Sequence, residues 1–488
     1  MDGQLQIRRG MLWLGSASII ARLLDVGATI AVLGLLTQAQ MGLSALALSA
    51  CAVLESLSGI GVGQAIVQDP SVSSDEESSL FWLTTASGLA LGALLVGVAP
   101  LLSGTYQDPA LRPLLAVSGL KLLLVGMTVV PLQLLGRQLR FKEIGAVQTL
   151  ASAGEGIAKI AFAFGGAGAW ALILGNVARG LVLLIGLWFL CSFRPRLHFS
   201  FAETRRFLRF GLHLAGSSIL YQAYKNSDYF LVGKFLGLEA LGLYRVAFDV
   251  AMQPTDAIIT VINRVGLPVY ARLASDSRAL LSGFLNSTRS FLLMAAPVAA
   301  VIYFAAGDVL QIVGGVRWVG SQPAVQILVW AGLLRAAALI FPQIYVAAGK
   351  PQLATLDSFV SMLTLSGSFW CGLYFFPNLG VLSVCLAWLL AYPLLLAGHI
   401  FIAQRLIGLE LRRYLVALAP GWGAAVAMVV GLQALRRVLP AHQHGLLELL
   451  SSTLVGVLIY MAYLRWVLKM RLGELFPRGS SRSVVDAE

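Results

Sequence analysis

Residues 10–36 read GMLWLGSASIIARLLDVGATIAVLGLL. About 20 consecutive apolar residues suffice to cross the hydrocarbon core of a bilayer, and this run is longer, interrupted only by Arg22 and Asp25. Arg8 and Arg9 stand before it as they would before a signal peptide. The h-region of a signal peptide is only about 7–15 residues, so the run reads as a first membrane helix that is not cleaved.

Working outward, the same pattern recurs along the chain. Runs at 10–36, 40–66, 80–103, 112–136, 144–163, 168–193, 211–233, 239–262, 290–312, 323–347, 353–376, 379–404, 413–435 and 446–469 give about fourteen transmembrane helices. Composition agrees: of 488 residues, 58% are hydrophobic and 12% charged, against about a quarter charged in soluble domains. Three soluble domains, which the length would accommodate at about 100–200 residues each, lack the charge to cover their surfaces. Disorder requires low hydrophobicity and is excluded with them. The fold class is an all-α integral membrane protein. No connector exceeds about thirty residues, too short for an extramembrane domain.

Lys and Arg should concentrate on the cytoplasmic side. With the N-terminus inside, the inner segments hold 23 of the 35 basic residues, the outer segments hold Arg112, Lys234, Arg317, Arg436 and Arg437, and the other 7 lie within runs. An even number of helices returns the C-terminus to the cytoplasm. The net charge of +12 therefore reflects topology, and a nucleic-acid partner, which would need a basic face on a soluble fold, is not expected.

An internal repeat is legible. Gly15-Ser16 matches Gly216-Ser217, and Leu36, Gly42, Leu43 and Ala47 match Leu236, Gly242, Leu243 and Ala247 at an offset of 200. An offset of six helices preserves direction, which gives parallel repeats about an axis along the membrane normal; chance identity in Gly/Leu/Ala-rich sequence is the competing explanation. The expected organisation is an N-terminal lobe at 1–193, a cytoplasmic connector at 194–210, a C-terminal lobe at 211–404, two accessory helices at 405–469 and a cytoplasmic tail at 470–488.

Charge inside a membrane costs about 2.5–3.5 kcal/mol per group at the bilayer centre on insertion scales. Thirteen charged residues fall in the runs: Arg22, Asp25, Glu55, Lys121, Glu155, Lys159, Arg179, Lys225, Asp228, Arg245, Asp249, Asp256 and Arg335. They are expected to face one another or a water-filled cavity between the lobes. Arg22/Asp25 and Lys225/Asp228 stand at i,i+3, and Glu155/Lys159 and Arg245/Asp249 at i,i+4, so each pair shares a helix face. Either these pairs only reduce the cost of insertion, or they belong to the transport path. Lys121, Arg179 and Arg335 have no opposite charge within a turn, which predicts a positive surplus. A cationic intramembrane surface suits an anionic substrate, since the arginine fork binds phosphate oxygens bidentately.

Other features are weaker. Pro131, Pro254, Pro297, Pro342 and Pro393 remove helix hydrogen bonds and serve as hinges or as fixed bends. The connector opens with a capping box, Ser200-x-x-Glu203, and Arg205, Arg206 and Arg209 suit a short helix in the lipid interface. Trp13, Trp82, Trp188, Trp318, Trp422 and Trp466 lie near run ends, as in an aromatic belt. The four cysteines, Cys51, Cys191, Cys371 and Cys385, form no metal or disulfide pattern and read as small buried hydrophobes. The five histidines show no HExxH, and no Walker A sequence is present, so no catalytic residue or metal site is expected.

The segment Asn226-Ser-Asp228-Tyr-Phe-Leu-Val-Gly233-Lys-Phe-Leu-Gly237, then Leu241-Gly242-Leu-Tyr244-Arg-Val-Ala247, Pro254, Val265-Gly-Leu-Pro268-Val-Tyr-Ala-Arg272 and the loop Leu139-Arg140-Phe141-Lys142, resembles Wzx-type flippases of the multidrug/oligosaccharidyl-lipid/polysaccharide exporter superfamily, in the branch serving exopolysaccharide and colanic-acid-like pathways. The resemblance runs through most of the chain and is sharpest over about 211–275. It implies two six-helix lobes and translocation of undecaprenyl-diphosphate-linked oligosaccharide across the bacterial inner membrane, with a cationic cavity holding the head group. It also implies coupling to H⁺ or Na⁺ and contacts with polymerase and chain-length-control proteins, and no resident cofactor. The motif itself fixes no ligands. From intramembrane position, Arg22, Arg179, Arg245 and Arg335, supported by Lys121, Lys159 and Lys225, are expected at the diphosphate and sugar, and Asp25, Glu55, Glu155, Asp228 and Asp249 as coupling groups or counterions. A drug exporter of the same superfamily is the alternative. A polymerase or ligase would carry a large outer loop, which this sequence lacks.

Overall fold

The computed structural model describes residues 2–59, 66, 72–438 and 446–470. Fifteen α-helices and no strand occur among them: α1 Asp2–Leu33, α2 Gln38–Ser58, α3 Ser74–Tyr106, α4 Leu111–Arg137, α5 Phe141–Phe164, α6 Trp170–Leu190, α7 Phe201–Leu273, α8 Ser277–Phe304, α9 Ala306–Gly314, α10 Gln322–Ala338, α11 Phe341–Ala347, α12 Pro351–Phe375, α13 Val381–Ile407, α14 Leu411–Val438 and α15 Leu446–Ala462. Short 3₁₀ turns occupy Val316–Ser321 and Pro377–Leu379, and a π turn succeeds α15. His442, His444, Arg471, Arg478 and Arg482 lie outside the described residues, as do the side chains of Gly15-Ser16, Gly216-Ser217, Glu203, Arg206, Arg209 and Arg264.

Nine of the described helical segments are long and apolar enough to cross a membrane on composition alone. Helices α1, α5 and α12 and the two arms of α7 have the length but are more polar, and the count of fourteen rests on reading these five as spans too. The chain is a multi-pass membrane protein: large apolar side chains such as Leu101, Phe164, Phe189, Leu390 and Leu394 are exposed, where water would penalise them and lipid does not.

Several boundaries differ from expectation. The runs 211–233 and 239–262 are arms of one 73-residue helical stretch, α7, kinked at Gly237 with φ 86° and ψ 176°. Positive φ of this kind is nearly free only for glycine. The separate short helix expected over 200–210 is instead the N-terminal part of α7, continuous with its first apolar arm. The run 290–312 is divided at Ala305 between α8 and α9. The run 323–347 is broken at Leu339 and Ile340 into α10 and α11, because Pro342 at the start of α11 cannot extend the preceding hydrogen-bond ladder. Trp318 is fully buried rather than in a belt, and Cys371 is exposed.

The chain divides into two compact units, Met1–Gly242 and Leu243–Glu488. In the first, α1 packs on α5, α3 on α4 and α5 on α6. Small residues permit the α3–α4 approach: Gly88 meets the Leu122 carbonyl, Gly92 meets Gly119 and Gly126 meets the Thr84 carbonyl. Membrane helices, lacking a hydrophobic drive against lipid, associate through such close backbone contact. A second contact of this kind joins the repeat-related residues reciprocally. A Cβ on Gly42 would strike the Leu238 carbonyl, and one on Gly242 would strike the Gln38 carbonyl. Gln38/Leu238 and Gly42/Gly242 are each 200 apart in the chain, so the contact has the two-fold symmetry that the sequence repeat implies. In the second unit α8 packs on α14 and α10 on α13, and the Trp388 indole donates to the Tyr244 hydroxyl at 2.7 Å within a cluster including Phe248 and Phe369.

Candidate functional site

The largest assembly of charge among the described residues of the first unit is built on α1, α5 and α6. Helix α5 presents Glu155 and Lys159 one turn apart, Nζ to Oε1 at 2.9 Å. From α1, Asp25 accepts a second bond from Lys159 Nζ at 2.7 Å. From α6, Arg179 Nη1 donates to Glu155 Oε2 at 3.0 Å, and Asn176 lies at 3.5 Å from Oε1. Each central group thus lies between two opposite charges: Lys159 between carboxylates, Glu155 between cations. Their side chains are only 8% and 4% exposed, which such a site tolerates because every charge is partnered.

The ends of this chain of charges differ from its centre. Arg179 is 42% exposed and Asp25 37%. Guanidinium has five N–H donors, and an ion pair through Nη1 ties Arg179 to Glu155. A buried carboxylate therefore aims an accessible fork whose geometry suits an anion. Arg22, on the same helix as Asp25, is exposed. The Asp25 carboxylate, expected to answer Arg22, bonds Lys159, because packing α1 on α5 brings that ammonium within reach.

The other expected residues are distributed. Lys121 on α4 donates to Glu55 on α2 at 2.7 Å, a partnership across 66 residues that helical spacing does not reveal. Lys225 on α7 sits 5.9 Å over the Tyr221 ring, while Asp228 is buried with Oδ1 accepting the backbone N–H of Tyr229. Arg245 and Asp249 pair at 2.7 Å as their spacing predicts. In the second unit Arg335 donates to Asp256 at 2.8 Å with its side chain only 4% exposed. Lys121, Arg179 and Arg335, which lack an opposite charge within a turn, each meet a carboxylate from another helix, so none of the three is left without a counterion. Two further acids, Asp308 and Asp357, lie in the runs 290–312 and 353–376 and belong with the thirteen by position alone. Among the described residues no cluster of His, Cys, Asp and Glu is placed to hold a metal. A cleft of about 250 Å³ opens elsewhere, at the connector, lined by Glu77, Gln138, Ser192, Arg194 and Arg196.

A family model described as "Polysaccharide biosynthesis protein" matches residues 32–323, a stretch that contains Glu55, Lys121, Glu155, Lys159 and Arg179. The chain belongs to this polysaccharide biosynthesis family. Among its relatives is "Lipopolysaccharide biosynthesis protein WzxC" of Escherichia coli (strain K12), 26% identical over 328 residues, 67% of each chain. Another is "Succinoglycan biosynthesis transport protein ExoT" of Rhizobium meliloti (strain 1021), 22% identical over 429 residues, 87% of this chain and 86% of the other. Among solved structures, "Lipid II flippase MurJ, inward closed conformation" superposes with a TM-score of 0.76 at 11% identity, covering 94% of this chain and 99% of that one. That likeness establishes the fold: the chain shares the all-helical architecture of that structure.

Proposed function

We propose that the protein is a flippase that carries undecaprenyl-diphosphate-linked oligosaccharide repeat units across the bacterial inner membrane for exopolysaccharide or lipopolysaccharide assembly. The observation that carries this reading is the family match over 32–323, which encloses an accessible arginine held from behind by a buried carboxylate. Names of relatives refer to polysaccharide and lipopolysaccharide biosynthesis and to succinoglycan transport, and the fold is that of a lipid II flippase. Arg179, joined by Arg22, binds the diphosphate by bidentate, charge-assisted hydrogen bonds. Transport proceeds by alternating access coupled to H⁺ or Na⁺, with no chemical step on the substrate. The lobes are those at 1–193 and 211–404, with accessory helices at 405–469, and both termini lie in the cytoplasm as the basic residues dictate. Polymerase and chain-length-control proteins receive the product.

The test is deletion of the gene followed by mass spectrometry of the lipid extract. Undecaprenyl-linked oligosaccharide should accumulate, and wild-type but not Arg179→Ala protein should clear it. Absence of any accumulated lipid in the deletion strain would overturn the reading.

A further inference from the structure

A second polar assembly lies in the C-terminal unit, and none of its members is among the residues expected from spacing. His399 on α13 is 5% exposed and has both ring nitrogens engaged. Nε2 stands 3.3 Å from Asp357 Oδ1 on α12, and Nδ1 stands 2.9 Å from the Tyr345 hydroxyl on α11. The Phe341 ring stacks on the imidazole at a centroid distance of 4.8 Å and 12° between planes, which fixes its orientation. Ser361 follows Asp357 by one turn on the same helix.

We propose that Asp357, His399 and Tyr345 form a proton-binding site that couples proton movement to transport; the coupling clause rests on the flippase reading, the proton site does not. A neutral imidazole carries one donor and one acceptor. With the proton on Nε2 it donates to Asp357, and Nδ1 accepts from Tyr345, so both ring nitrogens and the Tyr345 hydroxyl are satisfied and the assembly carries one negative charge. Uptake of one proton, as a carboxylic acid or as imidazolium beside carboxylate, brings the charge to zero without loss of heavy-atom partners. Interacting groups of this kind titrate as a unit, and ionisable residues inside a membrane mark substrate and ion pathways or proton relays. Protonated Nδ1 needs an acceptor, so the Tyr345 hydroxyl must turn.

That turn matters because α11 is a seven-residue helix bounded by the break at Leu339 and Ile340 and by Gly349 at φ 73°. Three separate elements therefore meet at one titrating pair. Charges on the neighbouring elements are committed elsewhere. Arg335 on α10 holds Asp256, Arg405 on α13 lies 4.3 Å over Phe401, and Arg289 on α8 reaches the Met470 sulfur. Arg278 stands at the start of α8 and Lys350 at the start of α12. Tyr414 on α14 packs against Phe341 at 5.6 Å. The proton reaches the pair by way of Asp357, whose side chain is 16% exposed. One carboxylate and one imidazole offer too few oxygens for a cation of the sodium or calcium kind.

Two measurements on the full chain test this. Potentiometric difference titration of purified wild-type and Asp357→Asn protein over about pH 5–8, where histidine and its partners exchange protons, should show one proton fewer in the variant; equal uptake overturns the site. In proteoliposomes, Tyr345→Phe, which keeps the ring, should lose the dependence of lipid-linked oligosaccharide export on an imposed pH gradient while binding undecaprenyl-diphosphate-linked oligosaccharide as the wild type does by native mass spectrometry. Unaltered gradient dependence overturns the coupling. Failure of the wild type to bind that lipid overturns the flippase reading instead, and the titration still decides the proton site.

Discussion

Two arginines that look equivalent in the sequence separate in the structure. Arg179 and Arg335 both lie in apolar runs without a nearby counterion, yet Arg179 presents an accessible fork and Arg335 is sealed against Asp256. Arg179→Ala should abolish export at normal membrane abundance, measured by complementation and immunoblotting. Arg335→Ala should instead lower abundance and thermal stability, because breaking a buried pair leaves an unpartnered charge at a cost of about 3–5 kcal/mol. The double variant Arg335→Met with Asp256→Leu should recover stability, since well-packed apolar side chains replace buried pairs at little net cost. Glu155→Gln should lower both export and stability, because Lys159 then keeps only Asp25 and Arg179 loses the carboxylate that aims it. Residue identity and position within an apolar run were legible for all four; which helix supplies each counterion was not, since Glu55–Lys121 and Asp25–Lys159 join residues 66 and 134 positions apart.

At the scale of elements, glycines carry the close approaches. Gly42→Ala and Gly242→Ala each place a methyl group against a facing carbonyl, and each should lower the melting temperature of the purified protein by an amount corresponding to about 1–3 kcal/mol of overpacking. Gly97→Ala, where nothing lies within 4 Å, serves as the neutral control. The offset of 200 was visible as scattered identities, and the reciprocal carbonyl contacts give it a physical reason: two copies of a helix start can approach along a two-fold axis only if neither carries a side chain there. Helix ends were less legible. The breaks at Ala305 and at Leu339–Ile340 fall inside apolar runs that hydropathy cannot subdivide, and Gly237 joins two runs that hydropathy separates.

For the whole molecule, reporter fusions at Lys350 and Arg412 should report a cytoplasmic location and those at Arg317 and Arg436 the opposite side, as the asymmetry of basic residues requires; inverted signals would reverse the assignment of inner and outer segments. The sequence alone determined that this chain lives in a membrane, because 58% hydrophobic residues and 12% charged ones cannot cover soluble domains. It also determined the type of element, since a backbone in lipid must satisfy its hydrogen bonds within each segment, and it exposed the parallel repeat and the family. The tertiary structure decided which charges meet. Lys159 lies between Asp25 and Glu155, Arg179 is anchored yet accessible, and Asp357 finds His399 and Tyr345. Coulombic and hydrogen-bond partners act over about 3 Å, and only the packing of helices distant in sequence brings such groups within that reach.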